Sequence, residues 1–214
     1  MAIKINLQET EQELFCCSKW WGDPDLPFDM EYPLALAEED GETFDYPLTF
    51  VCQIDCEDIA PFDPEGRLPH QGMFYVFAGL DEYLGLDSPW HNGPGEWPRK
   101  QVVVKYTKAI NMETFRSAQL VDDQDQPLTQ PALKMTFSAC RDDDPCTRLL
   151  GASSAEGLVT FLQIASNTAG LRFTDDGRLN LLYTKADFDA GKWKLVRACT
   201  KAPLPTSATR AERS

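Results

Sequence analysis

The sequence predicts a mainly β protein, a β-rich α+β chain with an antiparallel, roll-like fold built from two related halves and with short helices only. Three observations lead to this fold class. Short segments of alternating or β-branched apolar residues recur along the 214-residue chain. Segments dense in Pro, Gly and Asp separate them, and these residues favour turns. Part of the second half also repeats the residue order of the first.

Eight segments carry the pattern of a strand. In IKINLQ, Ile3, Ile5 and Leu7 alternate with polar residues, as expected on a half-buried strand. The same alternation, or a short β-branched run, predicts strands over residues 3–8, 48–54, 73–77, 101–106, 132–137, 158–164, 178–183 and 194–198.

Helical patterns are short by comparison. Residues 10–17 and 153–161 do not sustain an apolar stripe over three turns, and KADFDAGK (185–192) predicts one turn that ends at Gly191. The connection over residues 80–99 is long and contains two tryptophans, and long connections in compact domains often carry function. Residues 206–214 predict a frayed tail.

The repeat concerns two strand regions. LTFVCQID (48–55) aligns without a gap with LVTFLQIA (158–165), which pairs Gln53 with Gln163, and each is followed by a loop and a glycine-led strand. WWGDPDLP has a weaker counterpart in LLGASSAEG. We therefore expect a duplicated unit about a shared core, in a single domain over residues 1–205 with halves over about 18–110 and 130–198.

A set of motifs in a fixed order carries a family resemblance. WGDPDLP, PLTFVCQIDCEDI and LPHQGMFYVF in the first half, then FLQIAS and DDGRLNLLY followed by KADF in the second, resemble the YwqG-like family of uncharacterised bacterial proteins. The resemblance implies a mainly β, roll-like fold with two related halves, and it brings no established activity and no catalytic residues. The position of some family genes near secreted-toxin clusters implies, by analogy, an immunity-type or interaction role.

Charge narrows the classes of partner. The chain has 34 acids against 20 bases, a net charge of −14, which repels phosphate backbones and anionic lipids. We expect no nucleic acid and no membrane as partners, and a basic protein fits better. Neither a membrane-spanning run nor a signal-peptide core is evident, so the sequence predicts a cytoplasmic protein whose seven cysteines are reduced thiols.

Catalytic and metal motifs are weak. His70 and His91, the two histidines, lie in turn-like contexts, and no GxSxG elbow or phosphate-binding glycine loop occurs. Cys52 belongs to an apolar strand and reads as core, whereas Cys140 and Cys146 flank an acidic turn and are either redox-active or merely at the surface. DDQDQP (122–127) has a proline where a calcium loop needs glycine. We expect no metal and no cofactor.

Nine residues remain as candidates for a binding site. Gln53 and Gln163 lie inside apolar strands, where an unpaired amide costs about 1–3 kcal/mol, so each needs a specific partner, and groups of the protein itself are favoured. Trp21 is expected to cover the core, and Trp90 and Trp97 to be more exposed at an interaction surface. The candidates are Trp21, Asp23, Asp25, Gln53, Asp55, Trp90, His91, Trp97 and Gln163.

Two function hypotheses follow, and we favour the first. The first is a non-catalytic binding protein whose acidic surface and Trp-bearing loops meet a basic protein. The alternative is an enzyme that acts on a small substrate in a cleft between the halves, with acids such as Asp23 and Asp55.

Overall fold

The computed structural model describes residues 1–121, 124–126, 128–153, 155–173 and 177–201. Their secondary structure is mostly strand with short helices, which confirms the predicted fold class. The strands are β1 Ala2–Gln8, β2 Lys19–Trp20, β3 Asp25–Pro27, β4 Leu34–Glu39, β5 Glu42–Pro47, β6 Thr49–Asp55, β7 Met73–Ala78, β8 Gly95–Glu96, β9 Val102–Thr107, β10 Phe115–Ser117, β11 Leu133–Cys140, β12 Arg148–Leu149, β13 Leu158–Ala165, β14 Arg178–Thr184 and β15 Arg197–Lys201. The α-helices are α1 Cys56–Ile59, α2 Asp81–Leu84 and α3 Lys185–Asp189.

Eleven of these strands form one curled antiparallel sheet. Their order is β8-β15-β14-β13-β12-β1-β11-β2-β6-β7-β9, and two small sheets pair β3 with β10 and β4 with β5. None of the helices in the described ranges is long and apolar enough to cross a lipid bilayer. The predicted tail over 206–214, and Asp122, Asp123 and Pro127 of the acidic turn, lie outside the described residues.

The centre of the sheet exchanges strands between the two halves of the chain. β1 pairs with β11, and it also pairs with β12, while β11 pairs with β2. β1, near the N-terminus, therefore lies between β11 and β12, and β11 lies between β1 and β2. Because of this exchange, both halves contribute to one continuous sheet.

The same hydrogen bonds recur on both sides of this centre. Lys19 is the register partner of Gln53 on β6, and Arg148 is the register partner of Gln163 on β13. The backbone N–H of Trp21 donates to the Val51 carbonyl at 3.0 Å. The corresponding bond in the second half, from Leu150 to Phe161, is 2.9 Å long. A bulge interrupts β6 between Phe50 and Cys52, and another interrupts β13 between Thr160 and Leu162.

The core has two parts that meet on β7. All six β7 residues are buried, with Phe74, Val76 and Ala78 in the larger cluster and Tyr75 and Phe77 in the smaller one. Successive strand residues point to opposite faces, so β7 is covered on both. This double coverage explains why MFYVFA is apolar throughout rather than alternating.

The structure corrects one predicted strand and adds a hairpin. β15 begins at Arg197 rather than at residue 194, because Trp193–Leu195 forms a 3₁₀ turn. That turn buries Trp193 against Phe74, with ring centroids 4.9 Å apart. The β4–β5 hairpin has positive φ at Asp40 and Gly41, the two-residue Asp-Gly turn that strongly indicates a hairpin in a sequence.

Candidate functional site

One cavity combines an apolar lining with a buried carboxylate, and we call it the Asp81 cavity. Its volume is about 240 Å³. Four segments that are far apart in the chain form it: the turn after β2, the junction of β5 and β6, the α2 region and residues 128–130. The lining residues are Trp21, Gly22, Tyr46, Pro47, Thr49, Phe50, Asp81, Leu84, Leu86, Asp87, Leu128, Thr129 and Gln130.

Local structure sets the position of the carboxylate. Asp81 is the first residue of α2, three residues after β7 ends at Ala78, and Gly85 ends the helix in the left-handed conformation with φ 76°. Gly79 allows the ring of Trp90 to lie against the backbone here, since a Cβ at that position would be 2.7 Å from Trp90 Cε3. Asp81 thus follows shortly after the end of β7, the strand next to the edge strand β9.

Two hydroxyl groups hold Asp81 in place. Tyr46 on β5 donates to Oδ2 at 3.1 Å, and Thr49 on β6 donates to Oδ1. Asp81 is only 9% exposed, and among the described residues it takes part in no ion pair. Burying a charge without a counter-charge is costly, so a cation that entered the cavity would be favoured here.

The charges around the cavity have one sign. Its described lining holds two acids, Asp81 and Asp87, and no Lys, Arg or His. Burial, and then the negative charge of Asp81, raise the pKa of Tyr46 to about 12. The phenol therefore stays protonated at neutral pH and continues to donate to the carboxylate.

A second polar cluster, which we call the Asp25 cluster, is buried, and its hydrogen bonds converge on one carboxylate oxygen, whereas Oδ1 has no described partner. Asp25 Oδ2 accepts from the Cys16 N–H at 2.8 Å, from Lys19 Nζ at 2.7 Å and from Gln53 Nε2 at 2.8 Å. Gln53 Oε1 in turn accepts from the Asp25 N–H, and Tyr75 donates to the Asp25 carbonyl. These groups are buried, and burial raises the pKa of the Cys16 thiol to about 11. The cluster fastens β2 and β3 to β6.

The predicted partners of the two glutamines are found within the protein, as expected. Gln53 Nε2 also donates to the Cys17 carbonyl at 2.9 Å. Gln163 Nε2 donates to the Cys146 carbonyl at 2.7 Å, and its Oε1 accepts from Arg148 at 3.3 Å. Both side chains are at most 2% exposed. Gln53 thus ties β6 to the segment that precedes β2, and Gln163 ties β13 to the segment that precedes β12.

One predicted site residue lines the Asp81 cavity, and two others contact its lining. Trp21 lines it, is 3% exposed and donates from Nε1 to the Ala169 carbonyl at 3.1 Å. Asp23 accepts from the hydroxyl of Thr129, another lining residue, at 3.2 Å. Trp90 packs edge-on against Tyr46, with centroids 5.3 Å apart. The remaining predicted residues are not brought to this cavity.

The predicted exposure of Trp90 and Trp97 is wrong. They are only 8% and 4% exposed, because loop 80–99 folds back on the sheet. Trp97 Nε1 donates to Thr200 Oγ1 at 2.6 Å, and its ring stacks on Tyr83 at 5.7 Å. The large ring is thus used as core in each case.

Two further candidates have local roles. Asp55 is the N-cap of α1 and accepts from the Glu57 N–H at 2.9 Å, and burial raises its pKa. The side chain of His91 is 84% exposed and lies 3.6 Å from Glu82. Neither residue contacts the Asp25 cluster's carboxylate through a hydrogen bond in the described chain.

Residues 46, 49 and 81 were missed by the sequence analysis. Asp81 belongs to an acidic pair with Glu82 that follows the glycine-led strand of the first half. Tyr46 belongs to the β4–β5 hairpin, which the sequence analysis did not predict. Thr49 opens β6, where a threonine is already explained by the preference of β-branched residues for strands, so its hydroxyl gave no separate signal. A weak signal was available in GLDEY, where an acid follows directly on a buried strand.

Metal and nucleophile chemistry have little support in the described part of the chain. It contains no group of three or more His, Cys, Asp or Glu residues that could hold a metal ion. All seven cysteines are free. His70 lies 3.5 Å from the buried Asp63, but neither histidine forms a described hydrogen bond to a hydroxyl or thiol, as a triad requires. Burial, and then the interaction with Cys146, raise the pKa of the Cys140 thiol to about 11.

Comparison with known proteins gives a family but no activity. Residues 18–144, more than half of the chain, match the model of a family described as Domain of unknown function (DUF1963). No curated protein matches the chain. The matched range contains every residue that lines the Asp81 cavity and, apart from Cys16, the Asp25 cluster.

Proposed function

Because the chain belongs to the family described as Domain of unknown function (DUF1963), a description that gives no activity, we propose its function from the geometry. The chain is a non-catalytic binding protein whose Asp81 cavity receives a cationic group of a basic protein partner. The observation that carries this proposal is the buried Asp81 carboxylate, which two hydroxyls hold at one end of a mostly apolar cavity and no described cation balances.

Three properties of the site support a cationic ligand. The carboxylate is already ordered by Tyr46 and Thr49, so binding does not have to order it. The described lining has no basic side chain that would have to be displaced. The net charge of −14 attracts basic proteins over a distance and raises their association rate at low salt.

The family relationship, the organisation of the chain and its cellular role are also proposals. The YwqG-like relationship, the internal duplication within a single domain, and a cytoplasmic, immunity-type role are all compatible with the binding hypothesis. The recurring hydrogen bonds around Gln53 and Gln163 support the duplication. The enzyme alternative would use a cleft of this kind, and the described lining of the Asp81 cavity contains neither a histidine nor a cysteine beside the carboxylate.

The test compares two variants that remove the same charge. Asp81→Asn acts inside the cavity, and Asp45→Asn acts on the exposed β5 strand next to Tyr46. The probe is a short peptide that contains one lysine and one arginine, titrated into the full chain by calorimetry at 0.15 M salt. We expect Asp81→Asn to weaken binding by about tenfold or more, the loss of one hydrogen bond to a charged group.

The control decides between the cavity and general attraction. Asp45→Asn should leave the affinity within about twofold of wild type, since an exposed charge contributes little at this ionic strength. Equal losses in the two variants would mean that the peptide responds to net charge alone. That result, or the absence of any binding, would refute the proposed site.

A further inference from the structure

We infer that the Asp81 cavity recognises an alkylammonium group, the end of a lysine side chain, and discriminates against the guanidinium group of arginine. This inference rests on the proposed function and specifies its ligand. It follows from the number and the arrangement of hydrogen-bond acceptors at the polar end of the cavity.

Asp81, Tyr46 and Thr49 are hydrogen-bonded to one another in the lining, and we call them the polar end of the cavity. Each of the three can act as an acceptor. The Tyr46 and Thr49 hydroxyls donate their protons to Asp81, which leaves the lone pairs of both hydroxyl oxygens free to accept. Asp81 itself keeps unused acceptor capacity, because a carboxylate has about four lone-pair sites and two are occupied. An ammonium group has three donors, so it can give one to each oxygen-bearing residue.

A guanidinium group fits this arrangement less well. It has five N–H donors in a rigid plane and pairs best with a carboxylate whose two oxygens are both free for a fork. Here each oxygen of Asp81 already accepts a hydroxyl from a different strand. Much of the remaining lining is apolar, including Trp21, Phe50 and Leu84. A fork would have to share both oxygens with these hydroxyls, and the same few acceptors that can take three ammonium donors leave part of the five guanidinium donors unpaired, which is costly.

The apolar walls suit the stem of a lysine. Four methylenes gain by leaving water, while the charged end reaches the carboxylate. At about 30 Å³ for each water-sized group, the five heavy atoms of the side chain need roughly 150 Å³. The cavity has about 240 Å³, which is enough volume for this side chain.

The source of the ammonium group can be a lysine in a protein or a free amine. We commit to the protein source, since the net charge of −14 attracts a basic protein, with its several positive charges, more strongly than a singly charged amine. Three probes separate the possibilities: an acetylated, amidated Gly-Lys-Gly peptide, the same peptide with arginine in place of lysine, and n-butylammonium. All are titrated into the full chain by calorimetry under one set of conditions.

We expect the lysine peptide to bind at least about tenfold more tightly than the arginine peptide, and more tightly than n-butylammonium. Thr49→Val removes one acceptor at nearly constant shape and should weaken the lysine peptide by about tenfold. Thr49→Ser keeps the hydroxyl and should bind as wild type does. Circular dichroism of each variant checks the fold, and Thr49→Ser remains informative if Thr49→Val does not fold.

The other possible results of these titrations separate the ammonium inference from the proposed function. Equal binding of the lysine and arginine peptides, both lost in Asp81→Asn, would overturn the ammonium inference and leave the proposed function standing. A Thr49→Ser variant that loses the lysine peptide would also overturn it. If n-butylammonium binds as tightly as the lysine peptide, the ammonium class is supported and the protein source is wrong. No binding of any probe would overturn the inference together with the proposed function.

Discussion

Removal of the Asp25 charge should destabilise the fold, and a neighbouring acid provides a matched comparison. Asp25 and Lys19 form an ion pair of 2.7 Å whose side chains are 1% and 7% exposed. Asp25→Asn leaves the Lys19 ammonium buried without a counter-charge, which costs about 3–5 kcal/mol. For a chain of this size, 1 kcal/mol corresponds to a shift of about 2–4 °C in the melting temperature. We therefore expect Asp25→Asn to lower it by about 6–20 °C.

The double-mutant cycle isolates the ion pair. Lys19→Met alone should cost toward the lower end of the same range, because Asp25 Oδ2 keeps its bonds from the Cys16 N–H and Gln53 Nε2. The combined variant should cost less than the sum of the two single changes, since neither charge is then left alone. Urea unfolding, followed by circular dichroism and tryptophan fluorescence, gives the free energies.

Asp23→Asn is the control, because it removes the same charge two residues away. Asp23 is only partly buried, and its described bond is to the Thr129 hydroxyl. Its substitution should change the free energy of unfolding by less than about 1 kcal/mol. If Asp25→Asn also cost less than about 1 kcal/mol, or if the two single costs simply added, the assignment of Asp25 to the stability of the fold would be wrong.

Three further outcomes test the burial pattern. Trp90→Ala should lower stability by about 3–5 kcal/mol in urea unfolding, whereas His91→Ala, at an exposed position, should change it by less than about 0.5 kcal/mol. Gly79→Ala should destabilise and shift the tryptophan emission, because the new Cβ meets the Trp90 ring, and an unchanged spectrum would count against that packing. Burial raises the pKa of the Cys52 thiol far above its usual range, so Cys52 should react with an aromatic disulfide reagent at pH 8 only after unfolding. Exposed Cys17 should react in the folded protein, and mass spectrometry identifies the modified residue.

The sequence was sufficient for features that depend on local pattern. Alternating or β-branched runs located most of the long strands, and a polar side chain inside an apolar run was sufficient to require partners for Gln53 and Gln163. Turn chemistry was also informative where it was used, since Gly191 ends the predicted helical turn with φ 63°. The β4–β5 hairpin was missed although Asp40–Gly41 carried its signal.

The Asp81 cavity could not be predicted in this way. Its lining comes from four segments spread over more than a hundred residues, and no single segment has a pattern of its own. The same limit applies to Trp90, whose exposure depends on how loop 80–99 folds back on Gly79. Composition indicates that a loop is rich in tryptophan, but only the tertiary fold determines whether the rings face solvent.

Strand register gives a reason for the cavity to have its polar end in the first half alone. Thr49 pairs with Ala78, and Val159 pairs with Tyr183 at the matching step of the other half. Val159 thus stands where the first half has the Thr49 hydroxyl. Counting three residues on from Ala78 and from Tyr183 reaches Asp81 in one half and Ala186 in the other. The carboxylate and one of its two donors are therefore absent from the second copy at these positions. If the halves arose by duplication, the site was gained or kept in one copy while the other supplies sheet and core, and a single cationic group per chain should bind.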